Sequence, residues 1–136
     1  MLPAFFSGPV GAVKDVTRVL IAEDEFLLRL DAAACMRRLG WEVVEVSSAD
    51  EAMELLRYRV TFDLLVTDID MPGQADGLDL ARYVRSAHSE MKIVIMSEDR
   101  GDRPIDPHLF ELMVVKPLWN VGDTLIKLME ADRNAG

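Results

Sequence analysis

The stretch FDLLVTDIDMPG (62–73) runs an apolar segment directly into two carboxylates and a Pro-Gly turn. The segment over 62–68 reads as the most deeply buried strand of the chain. Asp, Pro and Gly each favour turns for local backbone reasons, so a surface turn accounts for Asp68 and Asp70 taken singly. What surrounds the stretch decides between a turn and a chemical site.

Short apolar runs alternate with helix-period segments on both sides of it. RVLIA (18–22), WEVVEV (41–46), KIVIMS (92–97) and LMVVK (112–116) read as strands. Between them, residues 25–40 place Leu28, Ala32, Cys35 and Leu39 on one helical face and stop at Gly40. Ser48 and Glu51 form a capping-box pattern that opens a second helix, while 77–87 and 120–132 are amphipathic. Five strands alternating with helices predict right-handed crossovers and a doubly wound α/β domain, its parallel sheet covered on both faces. No internal repeat or low-complexity tract interrupts this order.

The 136 residues suit one domain with a core large enough to need no staples. Half of them are apolar and 29% are charged, an ordinary globular composition. A single cysteine excludes an internal disulfide framework, and Cys35 reads as a small core hydrophobe. Fifteen basic and 24 acidic side chains leave a net charge of −9, with no basic patch, which argues against a direct nucleic-acid ligand. The apolar start, MLPAFFSGPVGAV, has no Lys or Arg before Lys14 and is broken by Pro3, Gly8 and Pro9. It fits neither a signal peptide nor a span of about 20 residues, so the expectation is a cytoplasmic protein without membrane insertion. Residues 1–16 are expected to form a flexible or loosely docked arm, 17–132 the domain and 133–136 a tail.

In doubly wound sheets, ligands bind beyond the carboxyl ends of the strands. The first strand ends in Glu23-Asp24, the third in Asp68, the fourth in Ser97 and the fifth in Lys116-Pro117. Three acids, a hydroxyl and an ammonium are therefore expected on one edge. Clustered carboxylates raise each other's pKa unless a cation sits among them, and hard oxygen ligands suit Mg²⁺ (or Mn²⁺). A carboxylate nucleophile there could accept a phosphoryl group, with Lys116 and Ser97 contacting its oxygens.

The motifs VLIAEDE, LLVTDIDMPG, IVIMS and VVKP, in this order, resemble the receiver domain of two-component response regulators over residues 17–132. The resemblance implies a flavodoxin-like fold with strand order 2-1-3-4-5. It implies that Asp68 is the phospho-acceptor and Asp24 a direct Mg²⁺ ligand, with Glu23 a ligand through water and Asp70 a ligand through its backbone carbonyl. It further implies that Ser97 and Lys116 bind the phosphoryl group and switch with it, that Pro117 follows a cis bond, and that residue 113 is the readout position. The implied partners are a sensor histidine kinase or histidine phosphotransfer protein and a downstream protein effector. The implied activity is limited to the domain's own phosphorylation and dephosphorylation. Two other readings of the acids are a pseudo-receiver that binds without phosphorylation and a haloacid-dehalogenase-type phosphatase.

The chain departs from the family pattern in three places. Met113 stands where an aromatic is usual, Glu98 stands where a small residue is usual, and the loop after Asp68 is one residue longer. Between Ser97 and the last strand, Gly101 and Pro104 oppose a continuous fourth helix. Asp106-Pro107 resembles an N-cap with proline at the first helical position, which predicts one short turn ending by Phe110 and a loop over 98–105. That segment is expected to change most on phosphorylation and to carry the partner surface.

Overall fold

The computed structural model describes residues 16–58, 60–98 and 104–135, with the side chains of 132–135 excepted. Along the chain run β1 (Arg18–Ala22), α1 (Phe26–Arg38), β2 (Glu42–Val46), α2 (Ala49–Arg57), β3 (Leu64–Asp68), α3 (Gly77–Ala87), β4 (Lys92–Ser97), a 3-10 turn (Pro107–Leu109), β5 (Leu112–Val115) and α4 (Gly122–Ala135). The five strands are parallel and ordered β2-β1-β3-β4-β5.

Strand alternation divides the core in two. Leu20, Leu65, Ile93 and Ile95 face α2 and α3, where they meet Ala49, Ala52, Leu80 and Val84. Val19, Ile21, Leu64, Val66 and Val94 face the opposite way, toward Ala32, Ala33, Met36 and Leu125 of α1 and α4. Each fully buried aliphatic side chain stabilises the fold by roughly 1.5–3 kcal/mol relative to exposure. The register Leu20↔Leu65↔Ile93 keeps each layer in phase across the three central strands, because a one-residue slip would turn every side chain to the other face.

Local chemistry sets the element ends. The α1 helix closes with Gly40 at φ +86°, where the Gly40 and Trp41 amides donate to the carbonyls of Arg37 and Met36, a Schellman arrangement. Its core face is Ala32, Ala33, Cys35 and Met36, with Leu28 and Leu39 half-buried, while Phe26, Leu27 and Leu30 remain exposed. At α2, the Ser48 hydroxyl accepts from the Glu51 amide, but the Glu51 carboxylate reaches Ser47, one residue short of a reciprocal box. The reciprocal box occurs at α3, between Asp76 and Asp79.

Several boundaries differ from the sequence pattern. β3 begins at Leu64, two residues after Phe62, because the Asp63 carboxylate turns to accept the Arg18 amide. α4 starts at Gly122 because Asn120 is held at φ +57°, outside the helical region. It runs through Ala135, past the expected end at Asp132, since neither Pro nor Gly interrupts it before Gly136. The single turn at Pro107–Leu109 is capped by the Asp106 carboxylate, which accepts the His108 amide at 2.9 Å. Glu98, Pro104 and Ile105 lie outside any helix. The expected arm (1–15) and the middle of the expected loop (99–103) lie outside the described residues.

Candidate functional site

Parallel pairing brings the carboxyl ends of β1, β3, β4 and β5 to one edge, and the polar side chains that follow them meet there. Carboxylate oxygens of Glu23, Asp24 and Asp68 all lie within 4.8 Å of one another. Glu23 is almost wholly buried, Asp68 is half-buried and Asp24 is exposed, so the cluster opens to solvent on the Asp24 side. Lys116, 4% exposed in its side chain, reaches Glu23 Oε1 at 2.9 Å and Asp68 Oδ1 at 3.2 Å. Glu23 also accepts the Glu25 amide on Oε2, and Asp68 Oδ1 accepts the Ile69 amide at 2.8 Å.

Glu23 and Asp68 share one ammonium, and their pKa shifts reflect it. Burial pushes the Glu23 carboxyl up, against the opposing bonds from Lys116 and Glu25. Burial likewise raises Asp68, again against Lys116. For Lys116, burial alone would lower the value, but the bond to Glu23 and the charges of Asp68 and Glu23 outweigh it and hold the ammonium above its ordinary range. The four groups retain two negative charges when ionised, which matches one divalent cation. An all-oxygen donor set with one solvent-facing side fits Mg²⁺, which takes few carboxylates directly and keeps several waters.

The other predicted residues take distinct places. Ser97 is buried at the end of β4, where its carbonyl accepts the Lys116 amide at 2.8 Å and links the two strand ends. The Lys116–Pro117 peptide is cis. Asp70 is exposed in the loop after β3, between the buried side chains of Ile69 and Met71. Met113, aligned with Ile95 across β4 and β5, packs half-buried against the α2/α3 core. Glu98 is exposed just past Ser97. His108 is exposed, and the half-buried His88 stacks edge-on against Tyr83.

Three further positions shape the site without a signal in the motifs. Gly77 lies against the main chain of Asp68: a Cβ there would come within 1.7 Å of the Asp68 carbonyl oxygen. Asp31, in the middle of α1, accepts the Leu118 amide at 3.0 Å and so holds the turn that follows Lys116. Asp50, in the first turn of α2, accepts the Gln74 amide at 3.0 Å. The one acid of α1, set between Leu30 and Ala32, was the hint for Asp31.

Residues 19–112 match the family model of the response regulator receiver domain. The chain is 38% identical over 86 residues to the transcriptional regulatory protein PdtaR of Mycobacterium tuberculosis, an alignment covering 62% of this chain and 41% of that protein. It is 32% identical over 80 residues to the sensor kinase CckA of Brucella abortus, covering 58% of this chain and 8% of that one. The chain thus spans less than half the length of these curated relatives. Among solved structures, the response regulator TrrA of Thermotoga maritima, in complex with Mg²⁺ and BeF, superposes with a TM-score of 0.73 at 24% identity, covering 85% of this chain and 98% of that one. A CheY-like receiver domain from Methanospirillum hungatei gives 0.77 at 16% identity over 89% of this chain and 99% of that one.

Proposed function

Because the chain belongs to the response regulator receiver domain family of two-component systems, we propose that it takes a phosphoryl group onto Asp68 and signals by the change that follows. The observation that carries this reading is the contact of Lys116 with both Glu23 and Asp68 beside the solvent-open Asp24. Both hydrogen bonds on Asp68 fall on Oδ1, so Oδ2 is the oxygen that attacks phosphorus. Attack breaks the phosphorus–nitrogen bond of a phosphohistidine, the imidazole leaves with a proton, and an aspartyl phosphate forms.

Mg²⁺ held by Asp24, Asp68 and the Asp70 carbonyl, with Glu23 acting through water, would offset charge on the transferring phosphoryl group. The chain's own residues do the rest. Lys116 shifts from Asp68 to a phosphoryl oxygen, and the Ser97 hydroxyl donates to another. Phe26, Leu27 and Leu30 of α1, and Trp119 after Pro117, expose apolar surface that suits docking of a histidine kinase or phosphotransfer protein. That TrrA, of the same fold, is in complex with Mg²⁺ and BeF supports a magnesium cofactor. A downstream protein effector would read the β4–β5 segment and Met113. No helix among the described residues is long and apolar enough to cross a membrane.

The test is labelling with Mg²⁺ and acetyl phosphate or a phosphorylated kinase, read by intact mass. One added phosphoryl group is expected, and it should be absent in Asp68→Asn. An adduct that persists in that variant, or a wild type inert to every donor, would overturn the assignment.

A further inference from the structure

The loop after Asp68 is pinned along its length. Gly77 presses on the Asp68 main chain at one end, and the Gly77 amide donates to the Ile69 carbonyl at 2.7 Å. Ile69 and Met71, on either side of Asp70, are buried in the apolar cluster that includes Ala49 and Ala52 of α2. The Asp50 carboxylate holds the middle. Its Oδ2 accepts the Gln74 amide at 3.0 Å and lies 2.4 Å from where a Cβ on residue 73 would stand. Gly73 has φ +117°, a conformation that side-chain-bearing residues rarely adopt. The backbone turns there in a way only glycine permits, and the turn delivers the Gln74 amide to Asp50.

We infer that Asp50 is a positioning residue for the metal site: by clamping Gln74 it restrains the loop that carries Asp70, whose carbonyl is the backbone ligand proposed above. This rests on the metal-binding reading above. The chemistry is that of an outer partner that orients a ligand, and such partners typically change metal affinity by about 10–100-fold when removed. Asp50 is exposed and is not among the buried core residues of α2, so its loss leaves their packing intact. The loop, held by one partner fewer, must be ordered further each time the cation binds. The cost falls on affinity and not on the chemistry of a loaded site.

The experiment compares wild type, Asp50→Ala and Asp50→Asn, since the Asn side-chain oxygen can still accept from Gln74. Mg²⁺ alone is titrated by calorimetry, and amide exchange at Gln74 is followed without metal. Asp50→Ala should weaken Mg²⁺ binding roughly tenfold, at the low end for an outer partner. It should also speed Gln74 exchange while the melting temperature stays put. Acetyl-phosphate labelling should need more Mg²⁺ to reach half-rate but keep its plateau within twofold, and Asp50→Asn should restore each value. Equal Mg²⁺ affinity in wild type and Asp50→Ala overturns the clamp, as does an equal loss in Asp50→Asn, which would make charge the cause. A wild type that binds no Mg²⁺ would instead sink the metal site itself, a result the same titration reports separately.

Discussion

Two connections leave the working edge of the sheet, and they are built in opposite ways. The one after Asp68 (69–76) is held by backbone contact at Gly77, by two buried side chains, by Asp50 and by the Asp76–Asp79 capping box. The one after Ser97 (98–111) is held, among the described residues, mainly at its far end. There Arg85 grips the Glu111 carboxylate with both oxygens near 3 Å and donates to the His108 carbonyl, and Glu111 also accepts the Ile93 amide. The difference separates two tasks at one site. On the function proposed above, the side that would present a cation's ligands is over-determined, while the described part of the other side is tethered at the end away from Ser97.

The largest effect should come from the ammonium that joins the strand ends. Lys116→Met leaves the buried Glu23 and the half-buried Asp68 charged and without their shared cation. Breaking such a set costs about 3–5 kcal/mol, read by urea unfolding at pH 7 without divalent metal. An unchanged midpoint would mean that the edge is less closed than its distances say. Gly77→Ala comes next. Its Cβ meets backbone that cannot swing aside, and overpacking of that kind costs about 3 kcal/mol. Asp68 labelling should fall along with stability.

On the looser side the effects shrink. Arg85→Ala removes a pair that is only about seven-tenths buried, so about 1 kcal/mol should be lost. Hydrogen exchange should quicken at 104–111 and stay unchanged at 69–76; acceleration in both would erase the contrast between the two connections. The smallest change concerns pH. Burial raises Glu23 and Asp68 above their ordinary values, 4.5 and 3.8. A raised carboxyl contributes stability below its unfolded pKa and loses that contribution as pH rises through the folded pKa. Metal-free wild type should therefore forfeit more stability between pH 4 and pH 7 than Asp68→Asn does. Paired thermal melts across that range would show parallel curves if the acids were not strained.

The strand ends were legible because β-branched runs stop at carboxylates, a hydroxyl and a lysine, and parallel topology carries those ends to one edge. The short turn at Pro107 was legible for an equally local reason, Asp106 followed by proline. Asp50 and Gly77 were not. Asp50 reaches a peptide 24 positions away, and no spacing rule records such a contact. Gly77 was read only as the first residue of the helix over 77–87, and what it fits against is main chain, which leaves no trace in side-chain pattern. The exposed Phe26, Leu27 and Leu30 misled in the other direction: apolar spacing in α1 pointed to one core face, but the helix carries a second apolar surface outward.

The contact at Gly77 also has a consequence for descent. Every single-base change of a glycine codon that alters the residue, short of a stop, installs a Cβ, and at this position each one lands on the Asp68 carbonyl. The position has no tolerable neighbour one step away. A lineage carrying this loop can drift in composition at Pro72, Gln74 and Ala75, where the backbone does not demand glycine. Its junction with α3 cannot wander, so variation collects at the exposed tip, where it leaves β3 undisturbed.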